Sequence, residues 1–269
     1  MRLDDVQAFV LDIDGTLVHR AGEEVYVQPG AAEVLAKIRA SGRPLVLFTN
    51  GSHAPPETFA AGLRAAGLSV ADDELLTPLC SVQTYLRAHH RDGSVLLFGT
   101  VSAREHMVRA GVRIHDSDNA TLADAVFVAH TDVADFAELE RAARAVLGGA
   151  RLLTGSYAPA YAGANGPIFS RGAMLTAAIA KATGARPVIV GKPSRAALQT
   201  ISDRLGVPSE ELAVIGDDLG MDIALGRLGG SRTILVRSGI SSTVELDRVA
   251  ERHRPDAVVE GVAELLDWL

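Results

Sequence analysis

Two apolar patterns alternate along the chain. Short uninterrupted apolar runs lie at 8–11, 44–48, 94–98, 125–129, 151–154, 188–190, 212–215, 233–236 and 257–259. Runs of this length without polar alternation predict strands buried on both faces. Between them, apolar residues spaced to share a face predict helices at 30–40, 56–66, 82–88, 103–110, 135–147, 172–183, 195–205, 222–228 and 262–269. In the first of these, Pro29 stands near the start, Val34, Leu35 and Ile38 share a face, and Gly42 ends the pattern. Segment 156–171, rich in Gly, Ala, Pro and Tyr, reads as a loop. Such alternation predicts an α/β fold, a parallel sheet with crossover helices. The block from Gly93 to Thr183 repeats the alternation by itself, which predicts a second α/β layer. The expected division is a core of 1–80 and 184–269 with an insert at 81–183.

Composition narrows the classes. The chain has 269 residues, enough for one large core or two smaller ones. Aromatics make up only 4%, so Leu, Val, Ala and Ile must fill the interior. A net charge of −7 argues against a general nucleic-acid or membrane surface. The single cysteine, Cys80, excludes an intrachain disulfide and a multi-cysteine metal site, and reads as a small buried residue. No apolar run is long enough to span a bilayer, and residues 1–5 carry no signal-peptide pattern, so a cytoplasmic protein is expected.

The chemistry concentrates at Asp12-Ile13-Asp14-Gly15-Thr16, directly after the first predicted strand. Asp12 and Asp14 would point to opposite faces of a regular strand, so they share a site only if the chain curls after Ile13. Gly15 permits that turn. Neighbouring carboxylates repel unless a cation or proton lies between them, and Mg²⁺ suits oxygen ligands. Three more predicted main-layer strands end in polar groups: Thr49 and Asn50, Lys192, and Asp217 with Asp222. Parallel strands bring such ends to one edge, where open α/β sheets bind ligands. Carboxylates for a metal, a hydroxyl and N–H groups for anion oxygens, and one fixed lysine make a set suited to phosphoryl transfer.

These residues, in this order, resemble the four motifs of the haloacid dehalogenase superfamily: Asp12-Ile-Asp14-Gly-Thr16, Thr49, Lys192, and Gly216-Asp217 followed by Asp222. The resemblance implies a Rossmann-like doubly wound parallel core with Asp12 as nucleophile and Asp14 as acid, then base. It implies Mg²⁺ on Asp12, the Asp14 backbone carbonyl and Asp217, supported by Asp222. Thr49, Lys192 and the N–H groups of Asn50 and Gly51 would bind the phosphoryl oxygens. The 34 residues between Asp14 and Thr49 are too few for a cap domain, whereas 142 separate Thr49 from Lys192. An α/β cap inserted there is similar to the NagD-type or p-nitrophenylphosphatase-type branch. Two features depart from that branch: Thr49-Asn50-Gly51 replaces Thr-Asn-Asn, and Asn-x-Asp is absent from 154–164. The second puts the usual substrate contacts in doubt.

The expected activity is therefore a Mg²⁺-dependent phosphatase acting on a small phosphorylated metabolite. Candidates implied by the resemblance are sugar phosphates, nucleotides, glycerol phosphate, phosphoglycolate and aryl phosphates. A phosphotransferase and a non-catalytic protein that binds a phosphorylated ligand remain as alternatives. The resemblance also admits a homodimer joined through the caps. His53 reads as an exposed loop residue. His130, at a cap strand end, reads equally as a substrate contact or a surface residue. Tyr157, Tyr161 and Asn165 read as parts of a loop packed on the cap, Asp218 as a carboxylate outside the metal set, and His89-His90-Arg91 as a solvated helix end.

Overall fold

The computed structural model describes residues 2–21, 24–116, 122–161 and 168–269, so Asn165 lies outside the described residues. β1 (Ala8–Leu11) has all four side chains buried, as expected of a central parallel strand. A hairpin of β2 (Val18–Ala21) and β3 (Glu24–Val27) follows it. α1 (Ala31–Ala40) buries Ala31, Val34, Leu35 and Ile38. Then come β4 (Leu45–Phe48), α2 (Pro56–Ala65), the short β5 (Leu75–Leu76) and α3 (Pro78–His89). The Thr77 hydroxyl caps α3 by accepting from Leu79 N–H, with Pro78 in the first turn, so this helix starts four residues earlier than its apolar spacing suggested.

The second layer comprises β6 (Ser94–Phe98), α4 (Val101–Arg109), β7 (Arg113–Ile114), β8 (Ala125–Val128), α5 (Phe136–Leu147) and β9 (Arg151–Thr154). A small hairpin, β10 (Ala160–Tyr161) with β11 (Ile168–Phe169), falls where a plain loop was expected. α6 (Arg171–Thr183), β12 (Val188–Ile189), α7 (Arg195–Leu205), β13 (Leu212–Gly216), α8 (Ala224–Gly229), β14 (Arg232–Val236) and β15 (Ala257–Val259) complete the order.

Two parallel sheets result. The main sheet has the order β15-β14-β13-β1-β4-β5, and the second β12-β9-β8-β6-β7. Helices cover both faces of each. In the main layer, α1 and α2 pack on one face and α7 and α8 on the other. In the second, α3 and α4 face α5 and α6 across the sheet. β1 is the switch point of the main sheet: the chain next adds strands on its β4 side and later returns to its β13 side. A crevice opens beyond the carboxyl ends of strands at such a point.

One strand is placed differently from the expectation. The run at 188–190 does not join the main sheet. β12 pairs with β9 in the second sheet, Val188 opposite Leu153 and Ile189 opposite Thr154. A two-residue strand carries too little pattern to select its sheet, and the main-sheet positions on both sides of β1 are already filled by β4 and β13. The expected helix at 222–228 is preceded by a wide turn over Leu219–Ile223, where the N–H groups of Asp222 and Ile223 both donate to Asp218 O. At the end of the chain, the expected helix is a 3₁₀ stretch, Val262–Asp267. No helix among the described residues is long and apolar enough to cross a membrane.

Candidate active site

At the end of β1 the chain does curl. Leu17 N–H donates to Ile13 O at 2.9 Å and Gly15 N–H to Val18 O at 2.8 Å, with Gly15 at φ 90°. The space allows no larger residue, since a Cβ on Gly15 would lie 2.4 Å from Asp217 Oδ2. The turn therefore brings the first motif against the fourth through bare backbone.

Four charged side chains meet beside it. Lys192 Nζ lies 2.5 Å from Asp12 Oδ1 and 2.6 Å from Asp222 Oδ1. Lys192 and Asp222 are almost wholly buried, and the Asp12 side chain is 11% exposed. The second Asp222 oxygen accepts from Asp218 N–H at 3.1 Å. Asp217 Oδ2 accepts from Ile240 N–H at 2.7 Å. Asp12, Asp217 and Asp222 each bring a carboxylate oxygen within 4.8 Å of the others. Three carboxylates and one ammonium leave an excess of negative charge in a buried space. Hard oxygen donors of that kind fit a divalent cation such as Mg²⁺.

The ionisation equilibria record this crowding. Burial pushes the Asp12 carboxyl well up, Lys192 opposes it, and Asp222 and Asp217 add to the rise. Burial and then Asp222 push Asp217 up to about 6, against the Ile240 N–H and Lys192. Burial alone would lower the Lys192 pKa, but the Asp12 and Asp222 carboxylates outweigh it and hold the ammonium charged. Asp218 is raised by burial and by Asp222, while its side chain caps the following turn, accepting from Gly220 N–H at 2.7 Å and Met221 N–H at 3.2 Å. It stands outside the three-carboxylate cluster.

The remaining motif residues divide. Thr49 is buried at the end of β4, and its hydroxyl accepts from Gly51 N–H at 3.0 Å. Gly51 has no room for a side chain, with Phe59 Cζ 2.7 Å from its ideal Cβ position. The Asn50 side chain turns to Lys192: Oδ1 accepts from Lys192 N–H at 2.7 Å and Nδ2 donates to Lys192 O at 2.8 Å. The Asp14 carboxylate is outside the cluster, half-exposed and paired with Arg20 Nε from the β2–β3 hairpin.

Arg20 was missed in the sequence because the hairpin that carries it was missed: two four-residue strands are too short to show a clear period. A fifth strand end was missed as well. Beyond β14, Ser238 Oγ donates to Gly15 O at 2.6 Å, and Gly239-Ile240 wraps the Asp217 carboxylate. Its signal was present as Ser238-Gly239-Ile240-Ser241, small and polar residues directly after a buried run.

The second layer reaches this edge. His130 N–H donates to Ser52 Oγ at 3.0 Å, and Thr100 Oγ1 donates to His53 O at 2.7 Å. The exposed His53 ring lies edge-on to Phe59 and 5.8 Å from the His130 ring. His130 thus sits at the seam between the layers. Asp132 pairs with Arg171 at 2.5 Å beside it. Tyr157 is 40% exposed. Cys80 is largely enclosed, with its thiol pushed up by burial.

Comparison with known proteins agrees with this geometry. Residues 9–113 match the sequence model of the haloacid dehalogenase-like hydrolases, and residues 189–265 match a second HAD-hydrolase-like model. The ribonucleotide monophosphatase NagD of Escherichia coli K12 is 32% identical over 265 residues, covering 97% of this chain and 98% of that protein. The dihydroxyacetone phosphatase of Corynebacterium glutamicum is 27% identical over 260 residues, covering 97% and 90%. The structure of a p-nitrophenyl phosphatase from Archaeoglobus fulgidus superposes with a TM-score of 0.86 at 28% identity, covering 98% of this chain and 100% of that one. The chain belongs to the haloacid dehalogenase-like hydrolases. Within them it falls in the NagD-like branch, subfamily IIA, and it is a phosphatase.

Proposed function

We propose that this phosphatase hydrolyses phosphomonoesters of small metabolites through a phosphorylated Asp12. The observation that carries the reading is the buried contact of Lys192 Nζ with Asp12 Oδ1, inside a three-carboxylate cluster. Asp12 is the nucleophile. Its Oδ2 lies 3.4 Å from Thr16 Oγ1 and its Oδ1 meets the ammonium, so the carboxylate is held in one orientation. Lys192 offsets the repulsion between that carboxylate and an arriving phosphate dianion.

The residues that would hold Mg²⁺ are Asp12, Asp217 and the backbone carbonyl of Asp14. Asp222 supports them, because its two oxygens are taken by Lys192 and by Asp218 N–H. When bound, the ion supplies charge neutralisation and orientation for the phosphoryl group. Thr49 and the N–H groups of Asn50 and Gly51 receive phosphoryl oxygens, the Gly51 N–H once it leaves the Thr49 hydroxyl it meets here. Asp14 gives a proton to the leaving alcohol, then takes one from the water that cleaves the phospho-aspartate. For this it must part from Arg20.

The inserted layer, 81–183 together with β12, acts as the cap that excludes water over the site. The substrates named for the relatives, a ribonucleotide and dihydroxyacetone phosphate among them, define the metabolites to try. The test is phosphate release from a panel of phosphorylated metabolites with Mg²⁺, together with rapid-quench kinetics. A burst of alcohol equal to the enzyme, ahead of phosphate, is the expected signature. Undiminished turnover by Asp12→Asn would rule the reading out.

A further inference from the structure

Lys192 stands at the junction of cap and core, between β12 in the cap sheet and α7 on the main sheet. Val190 N–H donates to Thr154 O at 2.9 Å and Gly191 N–H to Gly155 O at 3.1 Å, continuing the pairing of β12 with β9, and Lys192 is the next residue. Its ammonium nevertheless has to stay with Asp12 and Asp222, which both belong to the main layer. The Asp12 side chain is only 11% exposed.

Asn50 fastens the Lys192 backbone to the end of β4. Its amide pairs with both backbone groups of Lys192, as a neighbouring strand would, at 2.7 and 2.8 Å. The approach is close: a Cβ on Gly191 would lie 2.5 Å from Asn50 Oδ1 and 2.2 Å from Gly155 O. Gly191 is therefore wedged between a cap carbonyl and a core side chain, and only a residue without a side chain fits. Asn50 Nδ2 also lies 3.1 Å from Met221 Sδ, in the turn that carries Asp222. One side chain thus touches the segments bearing Lys192 and Asp222. An amide is required for the paired contact, since a carboxylate has no proton to give to Lys192 O.

We infer that Asn50 is a positioning residue, the core's pin on the segment that follows the last strand of the cap, which keeps the Lys192 ammonium on Asp12. The inference rests on the phosphatase reading for its kinetic consequence. Asn50 acts through Lys192 and not by touching substrate with its side chain.

The test is a double-mutant cycle with the full chain and Mg²⁺: wild type, Asn50→Ala, Lys192→Met and the double variant, with Asn50→Asp as a second probe of similar size. The readouts are kcat, KM and the binding constant of inorganic phosphate. Asn50→Ala and Asn50→Asp are expected to lower kcat/KM by about tenfold or more and to weaken phosphate binding. In the Lys192→Met background, removing Asn50 should change phosphate binding by less than about twofold, because the ammonium it places is already gone. Losses that multiply in the double variant, or a folded Asn50→Ala protein within about twofold of wild type, would overturn the inference. Should Asn50→Ala not fold, Asn50→Asp decides. A wild-type protein that hydrolyses no phosphomonoester would sink the phosphatase reading instead, and the phosphate-binding cycle would still decide the role of Asn50.

Discussion

Lys192 and Asp12 lie 180 positions apart in the chain, yet their charged atoms are 2.5 Å apart in a site almost closed to solvent. The same ammonium is 2.6 Å from Asp222. Lys192 is thus the only counter-charge that the side chains of the cluster themselves provide for Asp12, Asp217 and Asp222. Removing it leaves buried carboxylates facing one another. Breaking a buried pair by deleting one partner costs about 3–5 kcal/mol. Losing one preorganised electrostatic contact to a reacting group costs about 10²–10³ in kcat.

Lys192→Met is therefore expected to lose both activity and stability. Urea unfolding in EDTA should show a stability loss of a few kcal/mol, about the size given for a broken buried pair. Adding Mg²⁺ should restore part of it, since a cation replaces the missing charge. A variant as stable in EDTA as wild type would show that the ammonium is not what holds the cluster.

Metal affinity should follow the titration of Asp217, whose pKa is pushed up to about 6 by burial and by Asp222. A carboxylate must be ionised to bind the ion, so protons compete with Mg²⁺ below that value. Apparent affinity is expected to rise across pH 5 to 7 (a window of about one unit either side of the Asp217 pKa), and the raised pKa of Asp12 extends the rise to higher pH. Without metal the sign reverses. A folded-state pKa above the unfolded one means that the folded chain holds its proton longer. Stability from this group is full below about pH 4 and falls as pH rises to about 6. Calorimetric Mg²⁺ titrations at several pH values, beside EDTA melts of wild type and Asp217→Asn, check both signs.

The loop after β14 should matter as much as the recognised motifs. A Cβ on Gly239 would lie 1.8 Å from Asp217 Oδ2, closer than any contact allows. Ile240 N–H, which holds that oxygen at 2.7 Å, is the next residue along. Gly239→Ala must either move the carboxylate or pull the loop away, and either disturbs Asp217, the proposed metal ligand. Overpacking of this kind costs about 1–3 kcal/mol. Weakened Mg²⁺ binding, read by calorimetry with the fold intact by circular dichroism, is the expected result. Unchanged metal affinity would remove this loop from the site.

The parts of the site that were legible in the sequence are those carried by buried strands. β1, β4 and β13 are uninterrupted apolar runs, and each delivers its polar residue where the run stops. The β12 run also delivers Lys192, but two residues of pairing could not reveal which sheet they join. Asp14 and Asn50 were placed by motif, and motif does not say where a side chain turns. One is paired with Arg20 on an unpredicted hairpin and the other with the Lys192 backbone. Arg20 was illegible for a related reason: its partner is fixed by tertiary contact, and local pattern carries no trace of it, whereas the Ser238–Ser241 turn left a signal in its small residues shortly after the β14 run.

The last prediction separates what the site does from what the fold needs. Asp12 is proposed as the nucleophile, yet burial and the neighbouring Asp222 and Asp217 raise its pKa well above the ordinary carboxylate value, in spite of Lys192. Its negative charge therefore weighs against the metal-free fold, and that penalty grows as pH rises from the unfolded value through the folded one. Asp12→Asn has a similar shape and no charge. In EDTA at pH 7 it is expected to melt no lower than wild type, with its advantage shrinking toward pH 4. In saturating Mg²⁺ the order should reverse, because wild type gains the free energy of a bound ion that the amide holds less well. Hydrolysis should be lost under both conditions. Paired melts with and without metal test this directly. A lower melting temperature for Asp12→Asn in EDTA at pH 7 would mean that the carboxylate stabilises the metal-free fold through Lys192 more than its neighbours and its burial oppose it.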